Sequence, residues 1–270
     1  MIKLVCALLC CFSFTGFGQN TWKLNWKTPI DSMAIWDVDA AKNAYIMFNQ
    51  TLVKVDNTGK TVMQQSIKSI GNIKKIDAAN FLKIAVFSED QQRICYLDNA
   101  LAIQSECIDL AKFEVELANT FSTSIQTDRL WVFDQVNSQL QLITLRSSQR
   151  QIIQNIKSLV DIGNVEQLIE LNNELFLIDD SNKVVRLDNF GTLISVFEAN
   201  PAGIVQPFET GYLYGSAHSI VAHNYEGTEQ IELFKADEEV VGNIKGFKLI
   251  DSILFISTSD HLYCFELNQK

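Results

Sequence analysis

The chain has 270 residues, a formal charge of −10, 47% hydrophobic residues and 20% charged ones. That length can bury one large core, and an all-β chain of this size can be a single domain. No Lys/Arg cluster offsets the acidic balance, which makes nucleic acid and anionic membrane surfaces poor partners.

Residues 1–18 read MIKLVCALLCCFSFTGFG, with Lys3 ahead of an apolar run from Leu4 to Phe14. That run is too short to span a bilayer comfortably. Gly16 and Gly18 put small residues at −3 and −1 of a cut before Gln19. This is the pattern of a cleaved signal peptide. The expectation is a periplasmic or extracellular protein whose single domain covers residues 19–270. No later stretch is long and apolar enough for a transmembrane helix, so no membrane span is expected.

Asn20–Thr28 alternates Trp22, Leu24 and Trp26 with Lys23, Asn25 and Lys27, as one strand with no hairpin partner beside it. Six units follow. The first begins in Asp31–Asp39 and continues with Ala44–Phe48, Thr51–Val55 and Thr61–Ile67. The second is Ile73–Asp77, Phe81–Phe87, Arg93–Leu97 and Ala102–Ile108. The third is Thr120–Ile125, Arg129–Phe133, Gln139–Leu145 and Gln151–Ile156. The fourth is Val165–Glu170, Glu174–Ile178, Lys183–Leu187 and Thr192–Phe197. The fifth is Ile204–Phe208, Gly211–Tyr214, Ser219–His223 and Glu229–Phe234. The sixth has only three strands, Ile244–Ile250, Ile253–Ser257 and His261–Leu267.

The breaks between these runs carry turn chemistry, as in Asp56-Asn57-Thr58-Gly59 and Asp188-Asn189-Phe190-Gly191. Asp and Asn bond their own backbone, and Gly supplies positive φ. Breaks this short force antiparallel hairpins. Runs such as Leu175-Phe176-Leu177-Ile178 do not alternate with polar residues, so these strands are covered on both faces. The ends of third strands recur: Asp56 and Asp98 lie 42 residues apart, and the five steps from Asp56 to Glu266 average 42. A second landmark enters the first strands: Ile70-Gly71-Asn72, Ile162-Gly163-Asn164 and Val241-Gly242-Asn243. Four strands per repeat at this period are the signature of an all-β propeller with six four-stranded blades. The spare N-terminal strand then completes the last blade and closes the ring.

In this pattern residues 20–270 resemble the six-bladed β-propeller proteins exported by bacteria. The resemblance implies a fold and carries no activity. A WD dipeptide at third-strand ends is missing, since Trp36-Asp37 falls in a first strand.

Candidate functional residues fall in two sets. The turns between second and third strands gather on one face and hold Glu89, Asp90, Asp134, Asp179, Asp180, His218, Asp260 and His261. Such a face would suit a cation, a basic peptide or a polar ligand, although Asp, Asn and Ser are also what tight turns require. Asn72, Asn119, Asn164 and Asn243 open first strands and could ligate a hard cation near the axis. No catalytic set and no specific metal is indicated. No phosphate loop, HExxH, CxxCH, zinc-type CxxC pair or GxSxG is present, and no cofactor is expected. The expected function is a monomeric, non-catalytic module binding a protein or envelope component. The alternative is a hydrolase or lyase with an axial polar or metal site.

Cys95, Cys107 and Cys264 remain after the leader, each in an apolar run where Cys acts as a small hydrophobe. No disulfide framework is indicated. A Cys95–Cys107 bridge is conceivable because both flank one hairpin. A turn centred near Asn99-Ala100, however, places Cys95 opposite about Gln104.

Overall fold

A computed structural model describes residues 21–198, 204–226, 229–237 and 241–268. The leader reading, on residues 1–18, lies outside them. The strands pair into six four-stranded antiparallel sheets. The first blade is β2 (Ile35–Val38), β3 (Ala44–Phe48), β4 (Thr51–Val55) and β5 (Thr61–Ser66). The second is β6 (Ile73–Asp77), β7 (Ile84–Ser88), β8 (Arg93–Leu97) and β9 (Ile108–Asp109). The third is β10 (Ala118–Thr123), β11 (Arg129–Asp134), β12 (Gln139–Thr144) and β13 (Gln149–Ile153). The fourth is β14 (Val165–Leu171), β15 (Glu174–Asp179), β16 (Lys183–Asp188) and β17 (Leu193–Glu198). The fifth is β18 (Ile204–Phe208), β19 (Gly211–Gly215), β20 (Ser219–Asn224) and β21 (Gln230–Lys235).

The sixth blade joins the two ends of the chain. Its order is β1 (Thr21–Pro29), β24 (His261–Asn268), β23 (Ile253–Ser257) and β22 (Gly246–Ile250). Thr21 faces Asn268 and Pro29 faces His261, with one irregularity between Leu24 and Trp26. The expected closing strand is therefore present.

The core is divided among the seams between blades. Tyr45, Leu52, Ile84 and Val86 fill the seam of blades one and two. On the other side of β7, Ala85 and Phe87 pack with Phe121 and Val132 of blade three. Alternate residues of one strand thus serve two neighbours, which is why second strands are apolar at consecutive positions. Comparable clusters fill the remaining four seams, and the last joins Trp26 and Phe255 to Val38 and Ile46. Outer strands have one neighbouring strand and more water; every residue of β5 is exposed.

Within blade three, Gln141 is fully buried on the side shared with blade two, and neither its amide N nor its O has a hydrogen-bond partner. An orphaned buried amide is a net cost that a similar-sized apolar group removes. Gln141→Leu is expected to stabilise the fold by about 1 kcal/mol, read as a higher urea midpoint at unchanged slope.

Three expectations are corrected. The second strand of blade two begins at Ile84, not Phe81, because Asn80 caps a turn with its side chain on Leu82 N–H and leaves Phe81 and Leu82 exposed. The run to Ile156 ends as a strand at Ile153 and gives way to a helical turn, Ile156–Leu159. The third concerns the cysteines: Cys95 and Cys107 form a disulfide. Near the turn, Leu97 faces Ile103 and Gln104 N–H donates to Tyr96 O, close to the expected register. Farther out, Ile94 faces Ile108 and Arg93 faces Asp109. The outer strand has gained two residues in between, and that slip brings Cys107 opposite Cys95, with a Cα–Cα distance of 4.3 Å. Cys264 remains a free, buried thiol, and burial pushes its pKa up to about 12.

Candidate functional site

Antiparallel alternation puts the turns between second and third strands on the same face as the entries to the first strands. The two predicted sets therefore share one face. They meet as pairs within single blades. In blade two the Asp90 carboxylate accepts from Ser88 Oγ and from Asn72 N–H. The Ser88 hydroxyl, with the Asn72 and Gln91 amides, holds its pKa below the usual value. In blade three Asp134 accepts Glu116 N–H at 3.0 Å and Asn137 Nδ2 at 2.8 Å. In blade four Asp179 accepts Gly163 N–H at 2.8 Å, together with Ser181 and Lys183. Burial works to raise both carboxyls, yet these donors keep both below the ordinary range. The recurring acid is a clamp. It closes its own turn and fastens the connection that arrives from the previous blade.

Most of the remaining candidates are also engaged locally. Glu89 pairs with Lys74 at 2.7 Å. Asn119 Nδ2 reaches Glu166 at 3.4 Å, and Asn164 Nδ2 reaches Asp180 at 3.3 Å. His261 Nδ1 lies 2.9 Å from Asp260, whose carboxyl is held low first by Thr258 and then by His261. His218 sits in the matching turn of blade five, and Asn243 is exposed at the entry to blade six. Among the described residues no three His, Cys, Asp or Glu are grouped to hold a metal ion.

The axis holds a second polar system that sequence reasoning missed. Asp37 on β2 is bridged to Lys248 on β22 and accepts Ala78 N–H at 2.7 Å. Asp77 on β6 accepts the Thr123 amide and hydroxyl, both at 2.9 Å. Ser122 Oγ takes Glu170 N–H at 3.0 Å, and the Gln206 amide pairs with both backbone groups of Leu249. These contacts stitch each first strand to the next across five of the six seams. Lys75 lies inside this ring and donates to Thr120 Oγ1, Phe121 O and Leu168 O. Burial pushes its pKa down, against the raising effect of Asp77 and Asp37. A cavity of about 270 Å³ adjoins the stitches, lined by Trp36, Asp37, Gln167, Lys245, Phe247 and Lys248. The signal available in the sequence was a polar residue interrupting a first strand, as in IWDV, IKKID and GFKLI.

At the far end of β14, Glu170 borders a second cavity of about 210 Å³ with Arg129, Trp131 and Phe190. Its Oε2 is buried without a partner, and burial raises its pKa more than Ser124, Ile125 and Trp131 lower it. A carboxyl raised in the folded state favours folding at low pH, and that contribution disappears as pH rises through the folded pKa. Glu170→Gln is therefore expected to stabilise the fold at pH 7 by on the order of 1 kcal/mol, read as a higher melting temperature. The gain should vanish as pH falls to the ordinary Glu pKa, about 4.3. Melting curves across that range check both the gain and its disappearance.

Among the described residues no helix is long and apolar enough to cross a membrane. No family model matches the chain, and no curated protein matches it in sequence. Solved structures do. A virginiamycin B lyase from Staphylococcus aureus superposes with TM-score 0.59 at 11% identity, covering 92% of this chain and 100% of that one. BBS1N, solved in complex with ARL6DN, gives 0.62 at 11% identity, covering 93% and 98%. YCF48, solved bound to D1 peptide, gives 0.54 at 10% identity, covering 95% and 82%. At such identities the likeness is one of fold: this chain is a six-bladed β-propeller whose last blade is closed by its N-terminal strand.

Proposed function

We propose that the protein is an exported, non-catalytic propeller that acts as a monomer and holds a protein or another envelope component on its surface. The observation that carries this reading is the commitment of the axial groups. Lys75 has three internal acceptors, Asp37 is shared by Lys248 and Ala78 N–H, and Asp77 is held by Thr123. A general acid, base or metal ligand needs a side chain directed at a substrate, whereas these brace one blade against the next. Two structures similar in fold, BBS1N and YCF48, were solved holding a protein and a peptide. The Cys95–Cys107 disulfide supports export, because such bonds persist in oxidising compartments.

The likeness to a lyase keeps the second reading concrete, and the cavity beside Asp37 and Lys248 is where a substrate would sit. One experiment separates the two. The purified chain serves as bait for an envelope extract, and any retained component is reconstituted in pure form. The binding reading expects a 1:1 complex that survives Lys248→Met. It is refuted if no stoichiometric partner appears while the chain turns over virginiamycin B and Lys248→Met abolishes that turnover.

A further inference from the structure

A propeller exposes one free sheet edge per blade, and free edges invite pairing unless something blunts them. In blade six the outer strand β1 carries Lys23, Lys27 and Pro29. In blade two the outer strand β9 has two residues, beside the disulfide. In blade three β13 carries Arg150, and in blade five β21 carries Glu232 and Lys235. In blade one β5 is uncharged but ends in Gln-Gln-Ser. In blade four β17 reads Leu-Ile-Ser-Val-Phe-Glu, with its one charge at the last position.

The side chains of β17 are presented rather than hidden. Leu193, Ile194 and Val196 are exposed by 41%, 43% and 43%, and Phe190 in the turn before them by 81%. The strand is held firmly from behind. Phe197 stacks on Tyr212 at 4.5 Å, and Ser195 to Glu198 pair in regular register with Arg186 to Lys183 of β16. The one irregularity in that pairing falls before Ser195. A well-held, apolar strand whose outer edge pairs with no other described strand is a template for strand addition.

We propose that the outer edge of β17 receives an extended, β-branched-rich, uncharged or basic segment of a partner protein as a fifth strand of blade four. An extended chain is the ligand that can satisfy a row of backbone donors and acceptors at once. The flanking apolar side chains select apolar residues at alternate positions. A second copy of this chain is the competing occupant, but each copy has a formal charge of −10, and their repulsion opposes that pairing. This inference rests on the binding-module reading above and names the surface it uses.

The test compares the wild type with Ile194→Lys/Val196→Lys, which places charges on side chains already in water. Matched circular dichroism and melting curves establish that the variant is folded. A displayed library of random heptapeptides is selected on the wild type. The expected binders alternate apolar β-branched residues and lose at least tenfold in affinity on the variant. Failure of any such peptide to enrich, or binders that ignore the two lysines, overturns the proposal. So does a wild-type dimer in light scattering that the lysines dissociate, since the occupant is then a second copy. A partner retained equally by wild type and variant sinks the edge proposal while leaving the binding module standing. Retention by neither sinks both.

Discussion

Deleting Thr21–Lys27 is expected to unfold the ring or lower its melting temperature by well over 10 °C. The segment supplies the outer strand of the sixth blade, so its loss uncovers the whole length of β24. It also spans two seams. Trp22 Nε1 donates to Leu233 O of blade five at 2.7 Å, and Trp26 Nε1 to Asn57 O of blade one at 3.1 Å. Trp26 is 8% exposed and packs edge-on against Phe255. Truncating a buried Trp costs about 3–5 kcal/mol, and at this size each kcal/mol is worth about 2–4 °C. Trp26→Ala alone should therefore lower the melting temperature by about 6–20 °C. A rearranged chain shows that position in the ring, not mere mass, is what matters. Asn268 lies opposite Thr21. Moving residues 21–29 behind residue 268 through a short turn makes the sixth blade continuous in sequence. That permutant should recover the melting temperature within a few degrees. A truncated chain that melts like the wild type would contradict the closure.

The blades were legible because their signals are local and repeated. Leu175-Phe176-Leu177-Ile178 is strand-length and apolar throughout, and Asp188 to Gly191 can only be a tight turn. Both are where the sequence places them. The 42-residue step then assembled the blades without any knowledge of contacts. What stayed hidden depends on distances the chain does not encode locally. Asp134 and Asp179 looked like an acidic site, yet each is aimed at an amide 16 to 18 residues earlier. Asp37 and Lys248 are 211 residues apart and meet because the ring closes. Composition alone extends a strand over Phe81 and Leu82, and one Asn80 side chain decides otherwise. The cysteine pairing failed for the same reason. A register counted from the turn is right until two extra residues enter, and nothing in Gln104-Ser105-Glu106 announces them.

Those two residues make the disulfide the second place where a large effect is expected. Blade two has the weakest outer edge among the described strands: β9 is two residues long, preceded by an isolated bridge at Ile103. Its backbone ladder is broken across the slip. The Cys95–Cys107 bond closes that gap covalently, joining residues 12 apart in sequence. A loop of that size confers about 3 kcal/mol, chiefly by restricting the unfolded chain. Cys95 is 1% exposed and packs with Ile84, Val86 and Leu97, so Cys95→Ala alone would mix lost packing with the lost bond. Reduction of the wild type isolates the bond. With a phosphine reductant the urea midpoint should fall by an amount equivalent to about 2–4 kcal/mol. The Cys95→Ala/Cys107→Ala protein should be destabilised at least as much and should not respond to reductant. Cys264 cannot mimic the effect, since it is buried, unpaired and raised to a pKa of about 12. If reductant leaves the wild-type midpoint unchanged, the bond does not brace this edge, and the support it lends to an oxidising compartment is withdrawn with it.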